Sequence, residues 1–274
     1  MINRLDILAA PEPDGATSGV WPTTLRRLDS GEFSVGGVPV GELVAEFGTP
    51  LYVLDEAEFA RRARAWKAAM GEAFADLAET DVYYAGKAFL CIAVARTAAM
   101  EGLGVDTCTE GELATALAAG VPGSRIGLHG NNKSDAEIRL ALEAGIHRIF
   151  IDSMDEVHQI ERIAADLGVV APVMVRLKSG IHAGGNEYIA TAHEDQKFGL
   201  SLATGQAYEA VAVIKDAAHL DFRGLHSHIG SQIFGTEAFG EAARIVIDFA
   251  ALLKAELGLD VPAIDLGGGV GIAY

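Results

Sequence analysis

Cysteine, lysine, net positive charge and long apolar runs are all scarce in this 274-residue chain, and each scarcity closes off a class of protein. Two cysteines, Cys91 and Cys108, cannot build a disulfide framework, which points to a reducing compartment. Lysine and arginine together number 21 against 38 acidic residues, and the net charge of −17 is spread along the chain. A nucleic-acid or anionic-membrane surface needs a basic stripe, so the balance favours a small-molecule partner. No apolar run approaches the roughly 20 residues needed to span a bilayer. No cationic start followed by an apolar stretch marks a signal peptide, so the expected location is cytoplasmic. Only seven lysines occur against fourteen arginines. Lys67, Lys215 and Lys254 fall in helix-like stretches. Lys87, Lys133, Lys178 and Lys197 fall near strand ends or in loops, which narrows the search for a reactive amine.

What is present is a repeat. Residues 1–32 show no sustained period and read as a flexible arm. Phe33 to Val40 reads as a strand or hairpin around Gly36 and Gly37, Gly41 to Phe47 as a short helix, and Pro50 to Leu54 as a strand. Asp55 and Glu58 then have the spacing of a helix cap. From Asp81 a βα unit recurs, with strands starting at Asp81, Leu103, Arg125 and Arg148, every 22 or 23 residues. Thr109 with Glu112, Ser134 with Glu137 and Ser153 with Glu156 have capping-box spacing. Gly120, Gly145 and Gly168 suit the left-handed cap that ends a helix. Further strands are read at Pro172, Phe222 and Ala263. Short, continuously apolar strands fit a parallel sheet covered by helices, and the tight βα period favours a (βα)8 barrel over an open sheet. The fold class is therefore α/β, a TIM-type barrel with seven strands counted. A barrel wall short of one strand exposes two edges, so the chain is expected to be a fragment.

In such barrels the reactive groups sit at the C-terminal ends of the strands. Lys87, Asp106, His129, Asp152, Arg176, His226, His228 and Gly267-Gly268-Gly269 all fall there. A lysine at the barrel mouth would be partly desolvated, which favours the neutral amine that attacks an aldehyde; it could equally be a lysine snorkelling at a strand edge. The glycine run lets backbone N–H groups approach an anion, at the position where barrels often bind phosphate, or it is a plain turn. His226 and His228 share one face of a strand and could stack on an aromatic ring, ligate a metal, or be structural. Ser231 could donate to a phosphate oxygen. An amine, a flat ring and a phosphate cradle are together what pyridoxal phosphate requires.

The residues carrying these features resemble a known family. Tyr84-Ala85-Gly86-Lys87-Ala88 is similar to the lysine motif of barrel-type, pyridoxal-phosphate-dependent decarboxylases acting on diaminopimelate, ornithine and arginine. His129-Gly130-Asn131-Asn132-Lys133-Ser134, Leu225-His226-Ser227-His228-Ile229-Gly230-Ser231-Gln232 and Lys197-Phe198-Gly199 resemble the diaminopimelate branch. The resemblance runs from about Phe33 to the last residue. It implies that Lys87 carries the cofactor, that His228 stacks on its ring, and that Ser231, Gly267, Gly268 and Gly269 hold its phosphate. Asp106 and Arg176 match polar positions lining the pocket. It further implies decarboxylation of meso-2,6-diaminopimelate to L-lysine, a homodimer, and no metal.

By the same resemblance, residues 33–54 would belong partly to a second, all-β domain and residues 55–274 to the barrel. Two departures stand out. The family's Glu-Pro-Gly-Arg motif and its β-domain residues are absent, so the chain alone is expected to be inactive. Gly184-Gly185-Asn186 stands where relatives often carry histidine and threonine. The competing expectations are an ornithine- or arginine-type decarboxylase, a non-catalytic cofactor-binding relative, and a metal-dependent barrel hydrolase built on His226 and His228.

Overall fold

The computed structural model describes residues 20–180 and 198–272. The chain divides into two compact units, one reaching Val82 and one running from Tyr83 to Gly271.

The first unit holds strands β1 (Arg26–Arg27), β2 (Phe33–Val35) and β3 (Val38–Pro39), followed by helices α1 (Val40–Phe47) and α2 (Glu56–Ala73). The three strands form an antiparallel sheet in sequence order. Gly36 and Gly37, at φ 60° and 84°, make the β2–β3 turn, since this type of hairpin needs two consecutive left-handed residues. The stretch read from sequence as an arm thus contains a strand in its described part. That part is also tied down: the Thr23 hydroxyl donates to the Glu58 carboxylate at 2.6 Å. The reason is that two residues are enough to pair with β2 but too few to show a period. Asp55 caps α2 as its spacing with Glu58 required, accepting the Glu58 N–H at 3.0 Å. The strand expected over Pro50 to Leu54 does not form. Leu51 to Leu54 are exposed, and an apolar run becomes a strand only when a neighbour completes its ladder.

The second unit alternates strand and helix: β4 (Tyr83–Ala85), α3 (Ile92–Met100), β5 (Gly104–Thr107), α4 (Glu110–Ala118), β6 (Ile126–Leu128), α5 (Asp135–Glu143), β7 (Arg148–Ile151), α6 (Met154–Leu167) and β8 (Ala171–Lys178). It continues with β9 (Leu200–Ser201), α7 (Gln206–Asp216), β10 (Leu220–Ser227), α8 (Glu237–Leu257) and β11 (Ile264–Asp265). The strands pair in parallel in the order β4-β5-β6-β7-β8-β10-β11, a curled seven-strand wall of barrel type. These are the seven strands read from the sequence. The two-residue β9, which pairs only with β8, was not foreseen.

Side chains at helical spacing seal the outer face. Val157, Ile160, Ile163 and Ala164 of α6 are at most 1% exposed, as are Ile138 and Ala141 of α5 and Leu113 and Ala116 of α4. Burying each large aliphatic side chain contributes roughly 1.5–3 kcal/mol. At the other end of the strands, Gly104 leaves room for the Tyr83 ring, which lies against the guanidinium groups of Arg125 and Arg148. The polar residues of interest lie at the opposite, C-terminal rim.

Candidate active site

Parallel pairing brings the C-terminal ends of all seven strands to one rim. Lys87 stands on a 3-10 turn, Gly86–Ala88, directly after β4. It is exposed, so the partial desolvation expected for it does not hold in this structure. Its charge is nevertheless felt by Cys108 on the β5 end and by His228 after β10. Asp106 ends the β4–β5 pairing, opposite Ala85. Cys108 lies within the electrostatic reach of Lys87, Asp106 and Arg176, and burial pushes its thiol pKa up.

Below this lies an aromatic and imidazole layer. The His129 ring stacks on Phe150, with centroids 3.7 Å apart and planes at 10°. His226 meets both edge-on, at 5.1 Å from His129 and 4.9 Å from Phe150. Two carboxylates flank the layer. Asp106 Oδ2 is 3.3 Å from His129 Nε2, and Asp265 Oδ1 is 3.2 Å from His226 Nδ1. Burial pushes the His226 pKa down, with Asp265 opposing the shift. For Asp265, burial acts to raise the pKa. His226 and the Gly267 N–H outweigh it and hold the carboxyl below its usual range.

His228 lies one step past the end of β10. Its Nδ1 accepts the Gly268 N–H at 3.5 Å. Burial first, and then the charge on Lys87, lower its pKa to about 3, so the ring is neutral near pH 7. The glycine run wraps this ring. A Cβ on Gly267 would come within 2.9 Å of His228 Nδ1, and one on Gly269 within 1.9 Å of the Gly230 carbonyl. Gly269 also has φ 97°, a left-handed conformation that favours glycine. Ser231 sits in the segment running beside it, where Ile233 N–H donates to Gly269 O at 3.0 Å. Side chains at Gly267 and Gly269 would fill this corner, whereas bare backbone leaves it open to an anion.

Arg176 is nine-tenths buried on β8. It lies 3.8 Å from Asp152 and has its guanidinium over the Phe198 ring at 4.6 Å. Burial lowers its pKa, against the attraction of Asp152, Cys108 and Asp265. The structure thus gathers Lys87, Asp106, Arg176, His228, Ser231 and Gly267 to Gly269 on one rim. Lys197 and Gly184-Gly185-Asn186 lie outside the described residues. Among the described residues, no group of three or more His, Cys, Asp or Glu is arranged to hold a metal ion. Also among them, no helix is long and apolar enough to cross a membrane.

Two contributors went unrecognised in the sequence. Phe150 gave no signal, being one apolar residue in an apolar strand. Asp265 gave one: it ends a barrel strand and lies two residues before the glycine run.

The family described as pyridoxal-dependent decarboxylase, pyridoxal binding domain, matches residues 56–274. The chain belongs to the pyridoxal-dependent decarboxylases. Diaminopimelate decarboxylase of Mycobacterium tuberculosis is 47% identical over 259 residues, 93% of this chain and 57% of the relative. That of Staphylococcus aureus is 42% identical over 252 residues, covering 92% and 57%. The crystal structure of diaminopimelate decarboxylase from M. jannaschii in complex with L-lysine superposes with a TM-score of 0.87 at 33% identity, covering 94% of this chain and 59% of that one. A Vibrio vulnificus lysine/ornithine decarboxylase complexed with putrescine gives 0.67 at 27% identity, covering 86% and 57%. The chain therefore spans between a half and two thirds of the length of these decarboxylases.

Proposed function

We propose that this chain forms the cofactor-binding barrel of a pyridoxal-phosphate-dependent decarboxylase that converts meso-2,6-diaminopimelate to L-lysine. The observation that carries the reading is the convergence of Lys87, His228 and the Gly267–Gly269 run on one rim, with His228 in contact with that run. The substrate branch is supported by relatives named diaminopimelate decarboxylase at up to 47% identity, against 27% for the lysine/ornithine enzyme. A homodimer working in the cytoplasm belongs to the same proposal.

When bound, pyridoxal phosphate supplies an electron sink for the pair left on the α-carbon as carbon dioxide departs. This chain's residues provide the rest. Lys87, exposed at the rim, would hold the cofactor through its Nζ amine. His228 offers a neutral flat face to the cofactor ring and adds no second cation beside Lys87. The run Gly267, Gly268 and Gly269, bare of side chains, would receive the phosphate together with the Ser231 hydroxyl; the Gly267 and Gly268 N–H groups are engaged by Asp265 and His228 in this structure. Asp106 and Arg176 line the pocket. Arg176 lies between Asp152 and Phe198.

The test is covalent. Incubation with pyridoxal phosphate, borohydride reduction and peptide mass mapping should place the label on Lys87, and Lys87→Ala should abolish it. Label on other lysines with none on Lys87 overturns the reading. Protein purified from its native host should release carbon dioxide from meso-diaminopimelate and not from ornithine or arginine. The opposite preference would move the assignment to another branch.

A further inference from the structure

Lys133 is the most deeply buried cation among the described residues, its side chain 1% exposed. Its ammonium donates to Gly130 O at 2.7 Å, to Phe150 O at 2.6 Å and to the Glu156 carboxylate at 3.0 and 3.1 Å. Three donors meet three acceptor groups, the full capacity of –NH3+. This lysine is therefore spoken for and is no candidate for the reactive amine.

The acceptors lie on separate elements. Gly130 follows β6, Phe150 is on β7, and Glu156 is in the first turn of α6. Glu156 Oε2 also accepts the Asp152 N–H at 2.8 Å, and Gln159 on α6 donates to the Lys133 carbonyl at 3.0 Å. The ends of β6, β7 and α6 are thus tied at one atom. What they carry is the aromatic layer: His129 adjoins Gly130, and its ring stacks on Phe150. His226 rests edge-on against both rings and meets Asp265, whose carboxylate accepts the Gly267 N–H at 2.7 Å.

We infer that Lys133 is a positioning residue for the cofactor site: it sets the height of the Phe150–His129 stack, and through His226 and Asp265 the placement of the phosphate-binding glycines. The inference rests on the proposed cofactor. Breaking the pair on one side leaves a buried charge uncompensated and destabilises strongly, whereas neutralising both partners is tolerated far better. The double variant Lys133→Met/Glu156→Gln removes both charges and keeps an amide oxygen for the Asp152 N–H.

The experiment titrates wild type and double variant with pyridoxal phosphate, following the visible absorption band, beside thermal melts of the same samples. The expected result is a folded double variant with cofactor affinity weakened roughly tenfold or more and an altered band, because small misplacements of a preorganised site are costly. Unchanged affinity and band in a folded double variant overturn the inference. Where that double variant does not fold, Lys133→Gln/Glu156→Gln, also neutral at both positions, takes its place: weakened affinity supports the role and unchanged affinity overturns it. Wild type that binds no cofactor overturns the proposed function instead, so the two failures are distinct.

Discussion

His226 and Asp265 are register partners on the adjacent parallel strands β10 and β11, and their side chains meet at 3.2 Å. The same Asp265 oxygen accepts the Gly267 N–H at 2.7 Å. One carboxylate thus joins the imidazole layer beneath the rim to the first glycine of the proposed phosphate corner.

Asp265→Ala should therefore lower stability by about 1–3 kcal/mol, because it leaves the buried His226 ring without its carboxylate neighbour. Asp265→Asn should recover much of that loss through its amide oxygen. Urea unfolding of the three proteins at pH 7 measures this. An alanine variant as stable as wild type would show that the carboxylate does not support the ring.

Gly268 and Gly269 are neighbours with opposite tolerance. A Cβ at Gly268 meets nothing within 4 Å, whereas one at Gly269 meets the Gly230 carbonyl at 1.9 Å on a backbone of φ 97°. Gly269→Ala should cost at least about 2 kcal/mol and weaken pyridoxal phosphate binding. Gly268→Ala should leave stability within about 0.5 kcal/mol. Thermal melts with and without cofactor compare them, and equal melting points would contradict the close approach seen at Gly230.

His228 has its pKa lowered to about 3 by burial and by Lys87, against an ordinary value of 6.5. Between those values the unfolded chain binds a proton that the folded chain refuses, so stability rises with pH through this window and falls on acidification. The slope for one such group approaches about 1.4 kcal/mol per pH unit. His228→Asn should flatten the profile between pH 6 and pH 4.5. Denaturant midpoints across that range test it, and parallel profiles for variant and wild type would mean that His228 takes up no extra proton on unfolding.

The fold was legible where local chemistry and long-range pairing agree. All seven strands of the curled sheet lie where short apolar runs placed them. Ser134 and Glu137 form the complete reciprocal capping box that their spacing announced. Thr109 and Ser153 make only their own half of the box. Glu112 turns instead to the Cys108 N–H, and Glu156 to Lys133 and the Asp152 N–H. Both carboxylates reach the backbone N–H one residue before the cap, and Glu156 is drawn further by the tertiary partner Lys133. The two-residue strands β1 and β9 were invisible because so short a run has no period, and Pro50 to Leu54 misled because apolar residues alone do not supply a ladder.

Sequence by itself determined the order of the βα units, the end of the strands at which chemistry gathers, and the motifs around Lys87, His228 and the glycine run. These follow from residue spacing and from backbone rules that act over a few residues. Only the tertiary structure decided that His226 meets Asp265, that Phe150 carries His129, and that Lys133 is consumed in a buried clasp while Lys87 stays exposed. Those pairings depend on strand register and on which polar groups are buried together. A buried charge or N–H must find its partner wherever the packed chain brings one within reach.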